Sequence, residues 1–355
     1  MIGQRLNRAR KAAGLSLREL GARVGLTHAA IKKYEDEQAT PTSATLLNLA
    51  RTLNVRMEYF FRPETASLDR IEYRKRSSLP KKRLDAIEHE VIDQIERRIE
   101  LEALFPTPPV AAFAPVEGLP DVIDDASQIE HAAEAVRDAW DLGYDPIPDL
   151  IDVLEARGVR VFMIDANADA KFDGLAASVN DMPVIVVGSN WPGDRQRFTL
   201  AHELGHLMLA GRIGASFDEE TVCNRFAGAF IIPQHSVIQA LGAHRSVIEP
   251  KELSLLKEEF GLSMAGLLYR ARDLGIVTPA WRDEQARLFR NKGWHVAEPG
   301  KRHPAQKAHL FEQMVFHALA EGYIGESKAA ELLSMSLSAF QAERALEGSD
   351  AAADQ

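Results

Sequence analysis

Apolar residues at near-helical spacing run through the head of the chain: Leu6, Ala9, Ala13, Leu15, Leu17, Leu20 and Val24. Gly14 interrupts the series, and Ser16 suits the N-cap of a helix over SLRELGARVG. Gly25 then breaks the chain. A third helix is expected from about Thr27 to Glu35, a fourth over TSATLLNLARTL and a short fifth over MEYFF. Two of these helices lie three or four residues apart, the layout of a helix-turn-helix unit, with Ala30, Ile31 and Leu49 in its core.

Residues 63–79 are polar and read as irregular. Leu84, Ile87, Val91, Ile95, Ile99 and Leu101 mark a charged amphipathic helix over 80–104, expected to lie on the next domain, with self-association as the alternative. The Pro-rich run 105–120 reads as a semi-rigid spacer or surface loop. From about Ser127 the pattern alternates. Helices are expected at 128–142 and 148–157, then the apolar run VRVFMI. LAASVN and PVIVVG read as strands joined by a tight turn at Asn180-Asp181-Met182. Helices follow at 194–210 and 218–231 and over EPKELSLLKEEFG and SMAGLLYRARDLG. Residues 281–347 read as a helical tail, interrupted around GWHVAEPGKRHP, where a short strand or hairpin could sit. The expected fold is therefore multidomain: an all-α head (1–62), a linker (63–126), an α+β domain (127–280) and a mostly helical C-terminal region (281–355).

Composition narrows the class. With 46% hydrophobic and 26% charged residues and a mean hydropathy of -0.20, the 355-residue chain is globular rather than disordered or collagen-like. No apolar run approaches the roughly 18 residues of a membrane span, and MIGQRLNRARKAAGL lacks the apolar core of a signal peptide, so a cytoplasmic protein without a membrane partner is expected. The single cysteine, Cys223, excludes an intramolecular disulfide framework and a Cys-rich zinc module. The net charge of -10 hides an asymmetry: residues 1–62 carry 11 Lys/Arg against 5 Asp/Glu. A basic head on an acidic body points to a module that meets a polyanion.

The sharpest chemical signal is His202-Glu203-Leu204-Gly205-His206 within RFTLAHELGHLMLAG. On a helix the two imidazoles stand one turn apart on one face and can reach one metal, while Glu203 can face a water on that metal. A catalytic zinc site needs a third protein ligand and an open fourth position. The helix start Asp218-Glu219-Glu220 supplies two carboxylates. Glu220 shares a face with Asn224, whose amide could support a ligating imidazole; Glu219 is the reserve, and helix-start charge is the bland reading of Glu220. Cys223, between Val222 and Phe226, reads as core packing more than as a soft ligand. Oxyanion donors could come from His235, Arg225 or Tyr269, each of which also reads as an ordinary surface, capping or packing residue. The strand PVIVV could align an extended peptide by edge pairing.

Residues of about 130–235, with HELGH followed by ETVCNRFAGAFIIP, resemble the ImmA/IrrE family of zinc metallopeptidases. That resemblance implies a zincin-like α+β domain with Zn2+ held by His202, His206 and Glu220, Glu203 as general base and Asn224 behind the ligands; Cys223 stands where the family usually has alanine. Residues 3–61 resemble the helix-turn-helix of Xre/Cro/C1-type regulators. The second helix of that pair enters the major groove, which makes Thr27, His28, Lys32 and Lys33 the DNA-contacting candidates. Leu17 and Gly21 depart from the usual glutamine and alanine. For Arg5, Arg8 and Arg10 two readings stand, a solvated face and contact with DNA phosphates. Together the resemblances imply a homodimeric transcriptional regulator on a double-stranded DNA operator, whose zinc endopeptidase domain cleaves itself or a partner repressor; the alternative is a regulator whose zinc site is structural, sensory or inactive.

Overall fold

The computed structural model describes residues 2–62, 81–165, 172–179 and 182–346. The segment 63–79 and the turn at Asn180-Asp181 fall outside the described residues. The chain forms two compact units, and they do not follow the chain order.

The first unit opens with α1 (Ile2–Ala12), α2 (Leu17–Val24), α3 (His28–Glu35), α4 (Ser43–Thr52) and a 3-10 turn (Met57–Phe61). Capping sets these boundaries: Ser16 and Glu19 form a reciprocal capping box at α2, and the hydroxyls of Thr27 and Thr42 accept from Ala30 N and Thr45 N. Leu6, Leu20, Ile31, Leu49 and Phe60 fill the core between them. The long helix α5 (Lys81–Glu102) belongs to this unit, as does the C-terminal trio α14 (Leu310–Ala320), α15 (Glu326–Leu332) and α16 (Leu337–Arg344). The apolar seam of α5 is thus closed by α1 and α14 rather than by a following domain, and Ile87, Val91 and Ile95 are buried within the chain. The tail is fastened by guanidiniums that reach its carbonyls. Arg56 donates to Ser327 O at 3.0 Å and Met335 O at 2.9 Å, and Arg97 to Leu332 O at 2.6 Å.

Both sequence readings of the α1 arginines are corrected here. Arg5 is 1% exposed and pairs with Glu96 of α5; Arg8 reaches the same carboxylate at 2.9 Å. Arg10 grips Glu35 with two bonds of 2.6 and 2.9 Å. These guanidiniums are held by acidic partners 25 to 91 residues away, which bury Arg5 and Arg10 and leave Arg8 17% exposed.

The second unit is α+β. It contains α6 (Ala126–Ala139), α7 (Leu150–Ala156), β1 (Arg160–Ile164), β2 (Gly174–Val179), β3 (Met182–Gly188), α8 (Gly193–Leu209) and α9 (Glu219–Ile231). Four more helices follow: α10 (Gln234–Leu241), α11 (Pro250–Phe260), α12 (Met264–Asp273) and α13 (Pro279–Asn291). The strand order is β1-β3-β2, with β3 parallel to β1 and antiparallel to β2. Helix α8 packs on β2 and β3, while α9 packs on α8 and α6, so α8 is buried on nearly every side. The expected strand around GWHVAEPGKRHP is absent: 292–308 is irregular and docks on this unit instead, with the Gln306 side chain accepting from Leu150 N at 2.9 Å and Gln306 N donating to Gln196 Oε1 at 2.8 Å. Backbone groups that meet side chains in this way need no strand partner. The Pro-rich run also changes role part-way, since Val116 enters the second unit's core. Among the described residues no helix is long and apolar enough to cross a membrane.

Candidate active site

Helix α8 carries His202 and His206 one turn apart, and α9 crosses it so that Glu220 meets both. The two Nε2 atoms lie 3.2 Å apart, and Glu220 oxygens stand 3.8 Å from His202 Nε2 and 3.6 Å from His206 Nε2. Bonds of about 2.0–2.1 Å at a tetrahedral angle place ligand atoms roughly 3.4 Å apart. The three residues therefore bring ligand atoms within 4.8 Å of one another, and the cluster could coordinate a metal ion.

Close helix packing makes this convergence possible. A Cβ on Gly205, inside HELGH, would lie 3.1 Å from a Phe226 ring carbon and 3.4 Å from Cys223 Cα. The missing side chain and the small Cys223 let α9 approach α8, which answers the reading of Cys223: it is fully buried packing at the crossing, not one of the three clustered donors. Glu219, the reserve ligand, has a different position. Its Oε1 lies 2.9 Å from His206 Nδ1. An ionised carboxylate can only accept, so His206 donates to it from Nδ1, and Nε2 faces the cluster. Asn224 does not take the supporting place expected for it: it is exposed on α9 with no hydrogen bond to either imidazole. Asn224 instead lines a cavity together with Phe198, Thr221 and Tyr269.

Glu203 is 1% exposed and lies against the start of β2. A Cβ on Gly174 would sit 2.5 Å from Thr199 Cγ2, 2.8 Å from Val186 O and 3.4 Å from Glu203 Oε1. Only glycine permits this approach of strand to helix, and it sets the β2 backbone beside the carboxylate. The expected docking edge moves accordingly. PVIVV lies in β3, whose two sides are taken by β1 and β2, so it has no free edge; β2 pairs only with β3 among the described residues. The oxyanion candidates are otherwise engaged. Arg225 bonds Glu130 at 2.9 Å and Asp273 O at 2.9 Å, the His235 ring lies 4.7 Å from that of Tyr144, and the Tyr269 ring lies under Arg272 and Arg282.

Family models match two stretches of the chain. Residues 6–60 match the model described as helix-turn-helix, and residues 154–272 match the one described as IrrE N-terminal-like domain. The chain fuses a helix-turn-helix domain to an IrrE-like peptidase domain. No curated protein matches it. The IrrE-like match takes in α8 and α9 with all three clustered donors. In the helix-turn-helix domain, the turn between α2 and α3 spans 25–27, and Thr27, His28, Lys32 and Lys33 are all exposed on or at the start of α3. Thr27 also caps that helix through its hydroxyl.

Proposed function

We propose that the protein is a DNA-binding regulator whose IrrE-like domain is a zinc-dependent endopeptidase acting on the chain itself or on a partner repressor. The observation that carries this reading is the convergence of His202, His206 and Glu220 with the buried carboxylate of Glu203 next in sequence to the first of them. Three protein donors among the described residues leave a fourth position open, whereas structural zinc sites normally close all four.

Each residue has a role that follows from its place. His202, His206 and Glu220 hold the ion, and Glu219 orients His206 through Nδ1. The ion, when bound, polarises a carbonyl and lowers the pKa of water. Glu203 takes the proton of the attacking water and passes it to the leaving amine. An extended peptide paired along β2 from Gly174 would carry its backbone past Glu203. In the head, the exposed α3 residues Thr27, His28, Lys32 and Lys33 face the major groove of a double-stranded operator, read by a homodimer.

The test is metal content per chain in protein purified without added metal. About one zinc per chain is expected in the parent. His206→Ala should lose it, and Glu203→Gln should keep it while abolishing peptide cleavage. A folded parent that takes up no zinc overturns the peptidase reading.

A further inference from the structure

A cavity of about 280 Å³ opens inside the first unit, with room for about nine waters. Its walls come from three parts of that unit. The 3-10 turn and its flanks supply Arg56 and Arg62, α5 supplies Asp93 and Arg97, and the end of α15 with the turn into α16 supplies Glu331, Ser334 and Ser336.

Charge in this cavity is not balanced, since three guanidiniums face two carboxylates. Asp93 lies 3.2 Å from Arg97 Nε and 3.9 Å from Arg62 Nη1. Glu331 pairs with Arg62 and, at 3.2 Å, with Lys328. Each carboxylate thus serves two cations. Arg56 has none: among the described residues its guanidinium meets only the carbonyls of Ser327 and Met335, at 3.0 and 2.9 Å. Arg62 Nε is buried and has no hydrogen-bond partner among the described residues. Ser336 caps α16, so the amino end of that helix, whose first N–H groups have no partner within it, stands at the same cavity. All three features favour negative charge, and a guanidinium fork matches the paired oxygens of a carboxylate or a phosphate.

We propose that this cavity is a binding site for a small polar oxyanion, a phosphate monoester or a dicarboxylate, whose charged group pairs with Arg56. Asn54, Ser334 and Ser336 offer hydrogen bonds to the rest of the ligand. The ligand would touch the turn that closes the helix-turn-helix core and the C-terminal helices at once. The site does not depend on the peptidase reading.

The test is calorimetry on the full-length protein with two probes, glycerol 3-phosphate and succinate, titrated separately. At least one should bind with a Kd of about 1 mM or below, and the tighter of the two identifies the charged group. Arg56→Gln should weaken that binding by about 10- to 100-fold. Because Arg56 also fastens the tail, Asn54→Asp is the deciding variant. Asn54 is exposed at a φ of 54°, a left-handed conformation that Asp tolerates, and the change adds one negative charge to the cavity wall while leaving the tail's bonds in place. It should weaken binding about fivefold or more with an unchanged circular dichroism spectrum. Failure of both probes to bind below about 10 mM overturns the proposal. Binding that Asn54→Asp leaves unchanged also overturns it, because the anion then sits elsewhere and any loss with Arg56→Gln reports only the loosened tail.

Discussion

Two buried clusters of charged and polar groups sit at helix crossings in this protein, and they differ in the groups they bring together. Where α1 crosses α5, Arg5 and Arg8 share Glu96, and Arg10 is gripped by Glu35 on α3. Each guanidinium there lies against a carboxylate. Where α8 crosses α9, the converging atoms are two imidazole nitrogens and a carboxylate, the donor types of a metal site. Burial alone does not distinguish a structural from a functional cluster; the donor set does.

The largest expected effect tests the compensated cluster. Glu96→Ala would remove the carboxylate that the fully buried Arg5 and the 17% exposed Arg8 share, which should cost about 3–5 kcal/mol. Thermal unfolding of the first unit should shift down by roughly 6–20 °C. A shift under a degree or two would mean that water already reaches these guanidiniums. The matching change in the other cluster should behave in the opposite manner. In zinc-free protein, Glu220→Gln keeps the shape of a carboxylate that is 23% exposed, and stability should change by less than about 1 kcal/mol. The same substitution should still weaken zinc uptake strongly, so stability and metal affinity separate at this site and nowhere along α1.

A smaller effect is expected one residue away. Glu219→Gln keeps shape but replaces the ionised acceptor behind His206, and such outer partners typically contribute 10- to 100-fold in metal affinity. Competition with a chelator of known zinc affinity would read the loss. An unchanged affinity would assign Glu219 to the exposed helix start alone and return the question of what fixes His206 to Asn224.

How far the sequence revealed these features depended on the chain distance between partners. His202, Glu203 and His206 lie within five residues, so helical spacing alone brings them to one region, and Glu220 opens the next helix along. The role of Glu219 was harder to read because adjacent carboxylates differ only in the direction each points, which the crossing of α8 and α9 decides. Arg5 could not be assigned from its neighbours, since its partner is 91 residues away. The strands tell the same story: the β2–β3 hairpin was legible from two apolar runs and a turn, but the insertion of β3 beside β1 is a long-range pairing that removed the expected free edge of PVIVV. The C-terminal region was readable as helices yet not as two parts, because only the partners of 292–308 and of α14 show that they belong to different units.

The smallest effect concerns the surface that remains charged in the head. Lys32 and Lys33 are exposed on α3, and the ion pair of Lys32 with Asp36 at 2.7 Å is 55% and 36% exposed. Pairs that open to solvent contribute about 0–1 kcal/mol, so a DNA phosphate can displace Asp36 at little cost. Replacing both lysines by alanine should therefore leave thermal stability within about 0.5 kcal/mol while weakening duplex binding and lowering the slope of log affinity against log salt by about 1 to 2. Arg10→Ala, which breaks a buried pair on the neighbouring helix, should do the reverse, costing stability and leaving the salt slope of the remaining folded protein in place. Salt titrations of both variants on one duplex would read this difference. If Arg10→Ala lowers the slope as the lysine pair does, then Glu35 does not hold it away from DNA, and the separation drawn between compensated and available charge fails in the head where it is simplest to measure.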